Sequence, residues 1–277
     1  MPSRSAARVT GSLVRRRARL GTVLTIAAAI ALFGSACNST DSSPSGVSAA
    51  RAEAIASSRS AVASSTQSTK AGPSQAVVPP GTSLVATARG ARVSIHSTPD
   101  GTVRNKLNNP TAVGAPLTFR ILEQRPGWLK VQLPVRPNGS SGWIAANDVS
   151  VSSTPYRLVI SMSRHRLDVI YEGRRIARHE VGVGKVATPT PKGTYYLTEL
   201  IQPPDPAGAY GPYAFGLSAF SNTLKTFAGG PGQLGLHGTN APKGLGSDIS
   251  HGCIRVANDV ITQLAGDLPL GTPVDIK

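Results

Sequence analysis

From residue 83 onward, apolar and polar residues alternate in short runs broken by glycine, proline and asparagine or aspartate. Ala91–Ile95, Leu117–Ile121, Trp128–Leu133 and Gly142–Ile144 alternate as half-buried strands do. Pro99-Asp100-Gly101 and Pro137-Asn138-Gly139 supply turns between them, proline presetting φ and glycine tolerating positive φ. A second series follows: Arg157–Ser161, Arg166–Tyr171, Arg175–Val183 and Gly193–Leu200, with turns at Arg164-His165 and Glu172-Gly173. Helical periodicity is clear once, where Val260, Ile261, Leu264 and Ala265 share a face, with Asn258 placed to cap the start and Gly266 to close the end. The pattern predicts two mostly-β domains, 82–152 and 155–277, the second carrying one short helix.

Upstream the pattern is different. Val23–Phe33 is an uncharged apolar run behind Arg4, Arg8, Arg15, Arg16, Arg17 and Arg19. Its length suits the core of an export signal, whereas a bilayer span needs about 20 residues. Residues 1–36 are therefore expected to be a signal peptide. Gly34-Ser35-Ala36-Cys37 supports two readings: a lipobox, with Cys37 lipidated and anchoring the chain to the membrane, or an ordinary cleavage site. Both put the mature protein outside the cytoplasm, in the cell envelope. Residues 37–81 are rich in serine and alanine and lack aromatic residues, a composition that cannot offset its ordering entropy, so they are expected to act as a disordered tether.

The formal charge of +15 belongs partly to the N-terminal arginines. The remaining basic excess suits an anionic neighbourhood such as a cell wall or a membrane surface. Basic residues are scattered rather than clustered among aromatics, which argues against nucleic acid as a partner. No second cysteine or carboxylate stands at ligand spacing around the histidines, so no metal is expected, and Gly182-x-Gly184 does not open a helix as a nucleotide loop would.

The chemistry concentrates near the C-terminus. Cys253 is one of two cysteines and lies in Ser250-His251-Gly252-Cys253-Ile254-Arg255-Val256, sixteen residues after His237 of Leu236-His237-Gly238. A lone thiol in an exported chain has no disulfide partner. It is either a small buried hydrophobe or a nucleophile whose proton a nearby imidazole takes. Arg255 and the predicted helix point to an electropositive setting that favours thiolate. His251, two residues from Cys253, would share its face if the segment were extended.

These residues resemble the catalytic motif of the L,D-transpeptidases, the YkuD-like cysteine enzymes of peptidoglycan. Gly182-Val183-Gly184-Lys185, Thr188-Pro189-Thr190-Pro191-Lys192-Gly193-Thr194 and Gly271-Thr272-Pro273-Val274-Asp275-Ile276 are similar to further motifs of that family, in the same order. The resemblance implies a β-sandwich with one short helix over 155–277. It implies Cys253 as nucleophile, His237 as base oriented by the Gly238 carbonyl, His251 shaping the site, and an oxyanion hole from the N–H groups of Gly252 and Cys253. Ser250 would hold the loop, Arg255 would grip a substrate carboxylate, and Tyr210 and Tyr213, with Ala214-Phe215-Gly216 after them, would belong to a mobile substrate-binding flap.

Residues 82–152 resemble a bacterial SH3-like domain, a small β-barrel with Trp128–Val131 and Gly142–Ile144 as its last hairpin. The implied function is crosslinking of peptidoglycan stem peptides through a cysteine thioester, with release of D-alanine, no cofactor, and acylation by carbapenems. Two alternatives stay open: an L,D-carboxypeptidase using the same thioester, and a non-catalytic wall-binding protein.

Overall fold

A computed structural model describes residues 79–227 and 229–277. The expected signal peptide, Cys37 and nearly all of the tether lie outside the described residues. The first described region forms a seven-stranded sheet from β1 (Ser83–Ala88), β2 (Arg92–His96), β3 (Val103–Asn108), β4 (Thr118–Arg125), β5 (Trp128–Gln132), β6 (Ser141–Ala145) and β7 (Val149–Thr154). Its spatial order is β3-β2-β6-β5-β4-β1-β7. The period-2 pattern explains its core: Val93 and Ile95 of β2, Phe119 and Ile121 of β4, and Leu129 and Val131 of β5 all turn to the same buried cluster. Trp143 is buried, while Trp128 is half-buried against His96.

The second region contains β8 (Tyr156–Ser161), β9 (Arg166–Tyr171), β10 (Arg174–Glu180), β11 (Val183–Gly184), β12 (Gly193–Ile201), β13 (Ala214–Phe220), β14 (Gln233–His237), β15 (Asp248–Ser250), β16 (Ile254–Arg255), α1 (Asn258–Asp267) and β17 (Pro273–Ile276). Eight of its strands make a sheet in the order β10-β9-β8-β17-β12-β13-β14-β16, and β11 pairs separately with β15. The β-rich character and the single helix agree with the sequence pattern. Ile261 and Leu264 of α1 join Leu158, Leu217, Leu236 and Ile254 in one core.

Three expectations change. The helix begins at Asn258 with Ala257 as its cap residue, because the Asn258 side chain is engaged elsewhere, and it runs through Gly266 to Asp267. Ala214–Gly216 is not flap: Phe215 is fully buried in β13, leaving only residues 202–213 as the connecting loop. Strands β1, β3, β7 and β13 to β16 were not placed by the sequence: β3 and β7 are mostly exposed with little apolar alternation, and β15 and β16 are only two or three residues long.

Both regions belong to one compact unit, and their junction is hydrogen-bonded through buried groups. Gln132 Nε2 donates to Thr194 O at 2.6 Å, and the fully buried Tyr196 returns its hydroxyl to Gln132 O at 3.2 Å. Thr154 and Thr272 meet through their hydroxyls at 3.3 Å. Within the second region, Arg157 Nε bonds Asp275, which also accepts from Thr194.

Gly271 sits against β1 with φ +88, where an added Cβ would fall 2.5 Å from Val85 Cγ1. Gly271→Ala therefore combines a left-handed backbone with a clash across the junction. It is expected to cost ~1–3 kcal/mol, the usual scale of such local strain, read as a lower urea midpoint for the whole unit.

Candidate active site

The site is built on one short parallel pairing. Beside β14 runs β16, with Leu236 opposite Ile254 and His237 opposite Arg255. Leu236 and Ile254 are fully buried and point into the core. Alternation then turns Gly235 and His237 of β14 and Arg255 of β16 to the opposite face, and Cys253, immediately before β16, is hydrogen-bonded by the Gly235 backbone. The core-facing pair thus sets the register, and the register gathers the candidate chemistry.

Gly235 borders both candidate side chains. A Cβ there would meet Phe215 O at 3.0 Å and His237 Cδ2 at 3.9 Å, so the imidazole leans over this position. The empty space also lets the Gly235 backbone hydrogen-bond Cys253. Burial pushes the Cys253 thiol up from its ordinary pKa, and this effect exceeds the opposing help from Gly235 and from the Arg255 charge. The expected thiolate-favouring environment is corrected accordingly: Arg255 is near, but desolvation dominates.

His237 is 3% exposed, and its Nδ1 lies 2.6 Å from Gly238 O. Nδ1 must carry the proton to make that bond, which leaves the Nε2 lone pair free. Burial lowers the imidazole pKa to about 4, against the favourable Gly238 bond and with the Arg255 charge adding to the decrease. The imidazole and the thiol are therefore both neutral at pH 7. The Gly238 turn is itself held from outside: Asn258 Oδ1 accepts from Thr239 N–H at 2.7 Å. A Cβ on Gly238 would fall 2.3 Å from that oxygen and 3.0 Å from Gly211 Cα. Gly211 brings the 202–213 loop into direct backbone contact with the turn after the histidine.

That loop carries the two tyrosines. Tyr210 is exposed and sets its ring 4.8 Å from the His237 ring. Tyr213 packs on the core, and its hydroxyl accepts from Gln202 at 3.2 Å.

Ser250 is buried and braces the motif loop from within. Its Oγ donates to Cys253 O at 2.6 Å and accepts from Gly252 N–H at 3.0 Å. The Gly252 N–H is thereby occupied, so the oxyanion-donor role expected for it does not fit this conformation. Gly252 matters instead for its backbone, with φ +121, and its carbonyl accepts from the buried Thr190 hydroxyl at 2.8 Å. Thr190 in turn accepts from Gly184 N–H at 2.9 Å, which ties the Thr-Pro run to the cysteine loop. The bend through Gly252 also separates His251 from the strand face of Cys253. His251 is exposed and stacks on Phe227 at 5.4 Å, a residue the sequence did not single out.

Arg255 is half-buried. Among the described residues it has no ion-pair partner, and its buried Nε has no hydrogen bond. A guanidinium so placed can accept a carboxylate. Among the described residues no cluster of three or more histidine, cysteine, aspartate or glutamate side chains is arranged to hold a metal, and no helix is long and apolar enough to cross a membrane.

Residues 155–276 match the YkuD family, described as the L,D-transpeptidase catalytic domain. This region is therefore similar to the catalytic domains of that family. The chain is 33% identical over 122 residues to the L,D-transpeptidase-family protein YkuD of Bacillus licheniformis, covering 44% of this chain and 66% of that relative, just short of two thirds. With YkuD of Bacillus subtilis it shares 29% identity over 151 residues, covering 52% and 84%. An L,D-transpeptidase structure from Mycobacterium smegmatis aligns at 16% identity and a TM-score of 0.36, covering 54% of this chain and 89% of that one. The matched span begins at residue 155, one residue before β8, and the seven-stranded region precedes it.

The buried imidazole gives the domain a pH signature. A folded pKa of about 4 lies below the unfolded value of 6.5, so the unfolded chain binds more protons between those pH values. The stability due to neutral His237 is complete above pH 6.5 and is lost as the pH falls toward 4. At about 1.4 kcal/mol per pKa unit, this amounts to ~3 kcal/mol. Urea melts at pH 7 and pH 4 should show the wild type losing about that much more than His237→Gln. An equal loss in both would mean that the imidazole titrates normally.

Proposed function

We propose that the protein is an exported enzyme that crosslinks peptidoglycan stem peptides through a thioester on Cys253. The observation that carries this reading is the pairing of His237 with Arg255 across β14 and β16, with Cys253 just before β16 hydrogen-bonded by the Gly235 backbone. The Cys253 sulfur attacks the carbonyl of the third stem residue, a diamino acid, while its proton passes to His237 Nε2. Because Nδ1 is held by Gly238 O, only Nε2 can receive it. The resulting imidazolium is buried beside Arg255 and is a stronger acid than an ordinary imidazolium. It therefore gives its proton to the departing amine nitrogen, and D-alanine leaves. The side-chain amine of a second stem then attacks the thioester, returns the thiol, and leaves an amide crosslink between two third-position residues.

The neutral resting pair favours this concerted transfer over a preformed thiolate. Arg255 binds the donor's carboxylate, which supplies its unpartnered Nε and guanidinium with the anion they lack. Tyr210 covers His237 and limits water at the thioester. The preceding seven-stranded region acts as an SH3-like module, and the N-terminal segment directs export, with Cys37 as a lipid anchor in the cell envelope.

Purified protein incubated with disaccharide-tetrapeptide should give a crosslinked dimer by mass spectrometry. A tripeptide monomer alone would identify a carboxypeptidase, and no product would leave a binding protein. Cys253→Ala should lose both turnover and covalent labelling by a carbapenem. Arg255→Lys should slow acylation by a carboxylate donor ~10²-fold or more while largely sparing the amidated analogue, since an ammonium cannot copy the planar two-bond contact. An equal loss on both donors would assign Arg255 to the scaffold.

A further inference from the structure

The segment joining β13 to β14 is closed at its base, where Ser221 N–H donates to Gly232 O at 2.8 Å. Its far part carries Phe227, which lies on His251 at the edge of the cysteine loop. The side chain that fills this closed loop comes from the preceding seven-stranded region. Arg136, in the turn between β5 and β6, donates from Nη1 to Ser221 O at 2.8 Å and from Nη2 to Leu224 O and Pro231 O, each at 3.1 Å. Its guanidinium also lies over the Phe220 ring at 5.1 Å. Asn138, two residues on, makes a reciprocal pair with the Phe220 backbone, at 2.8 Å in each direction.

Backbone carbonyls are a weak reason to place a charged group in a domain junction, because a carboxylate would bind it more strongly. Three carbonyls spaced around one loop are instead a geometric use of the planar fork. Gly232 admits the contact: at φ +71, a Cβ there would fall 2.3 Å from Leu224 O and 3.0 Å from Arg136 Nη2.

We propose that Arg136 is a positioning residue for the transpeptidase cleft, by which the preceding domain sets the wall formed by residues 221–232 and holds Phe227 against His251. The proposal rests on the reading of Cys253 as the nucleophile for a bulky peptidoglycan donor. The wall lies beside the sulfur's loop, so its position governs how an extended donor is seated. A small reagent that needs only the thiol is indifferent to it.

Three measurements on the full chain test this in Arg136→Ala and Arg136→Lys. Hydrogen–deuterium exchange should rise in the 221–232 segment while β8, β9 and β17 stay protected. Acylation by disaccharide-tetrapeptide should slow ~10–10²-fold, mainly through KM, consistent with the cost of a misplaced binding element. Alkylation of Cys253 by iodoacetamide should keep its wild-type rate or rise. The lysine variant should fall between wild type and alanine, because one ammonium cannot span three carbonyls, and it carries the test if Arg136→Ala does not fold.

Unchanged exchange in 221–232 would overturn the clamp. Parallel slowing of the large donor and iodoacetamide, with exchange raised throughout, would reduce Arg136 to a general structural role and overturn the proposal. If the wild type itself fails to process the muropeptide, the functional reading fails, and exchange together with alkylation still decides whether Arg136 sets the wall.

Discussion

The pairing of β14 with β16 is the constraint on which the site depends. Two residues of ladder, Leu236 beside Ile254 and His237 beside Arg255, bring together segments separated by a long excursion of the chain. The apolar half of that ladder is completely buried, so a slip of one residue would expose two large side chains and turn the reactive face into the core. Hydrophobic packing thereby enforces the placement of the candidate groups. The Ser250, Thr190 and Asn258 side chains serve the same end, fixing the loop before the cysteine and the turn after the histidine.

The electrostatics of this face are deliberately unresolved. Arg255 disfavours a protonated His237 and favours a deprotonated Cys253, while burial disfavours charge on both. The balance is a neutral pair next to an uncompensated cation. Such a face costs stability in the free protein and can regain it when an anionic ligand arrives.

Much of this was legible in the sequence because the relevant signals are local. Alternation placed β8 and β9 nearly to the residue, and the spacing of His237 from the Ser250–Arg255 run marked the candidate groups, while the β14–β16 pairing beside them was not read. The side chains that hold the site were harder to read. Asn258 looks like a helix cap but reaches across to Thr239, because its partner lies nineteen positions away and no local pattern encodes that distance. Burial likewise outweighed the nearby arginine at Cys253, a balance that sequence neighbours alone do not reveal. Phe227 and Arg136 matter through contacts between distant segments.

The imidazole of His237 takes its orientation from a main-chain oxygen rather than from a carboxylate. A carboxylate partner can be deleted by changing one codon, but a carbonyl is present whatever residue occupies position 238. Mutational drift therefore cannot remove this acceptor directly; it can only displace it. The vulnerability moves to neighbours that fix where the carbonyl sits, above all to the crowded meeting of Gly211, Gly238 and Asn258. Variation that damages proton transfer should be found there, in residues with no acid–base chemistry of their own.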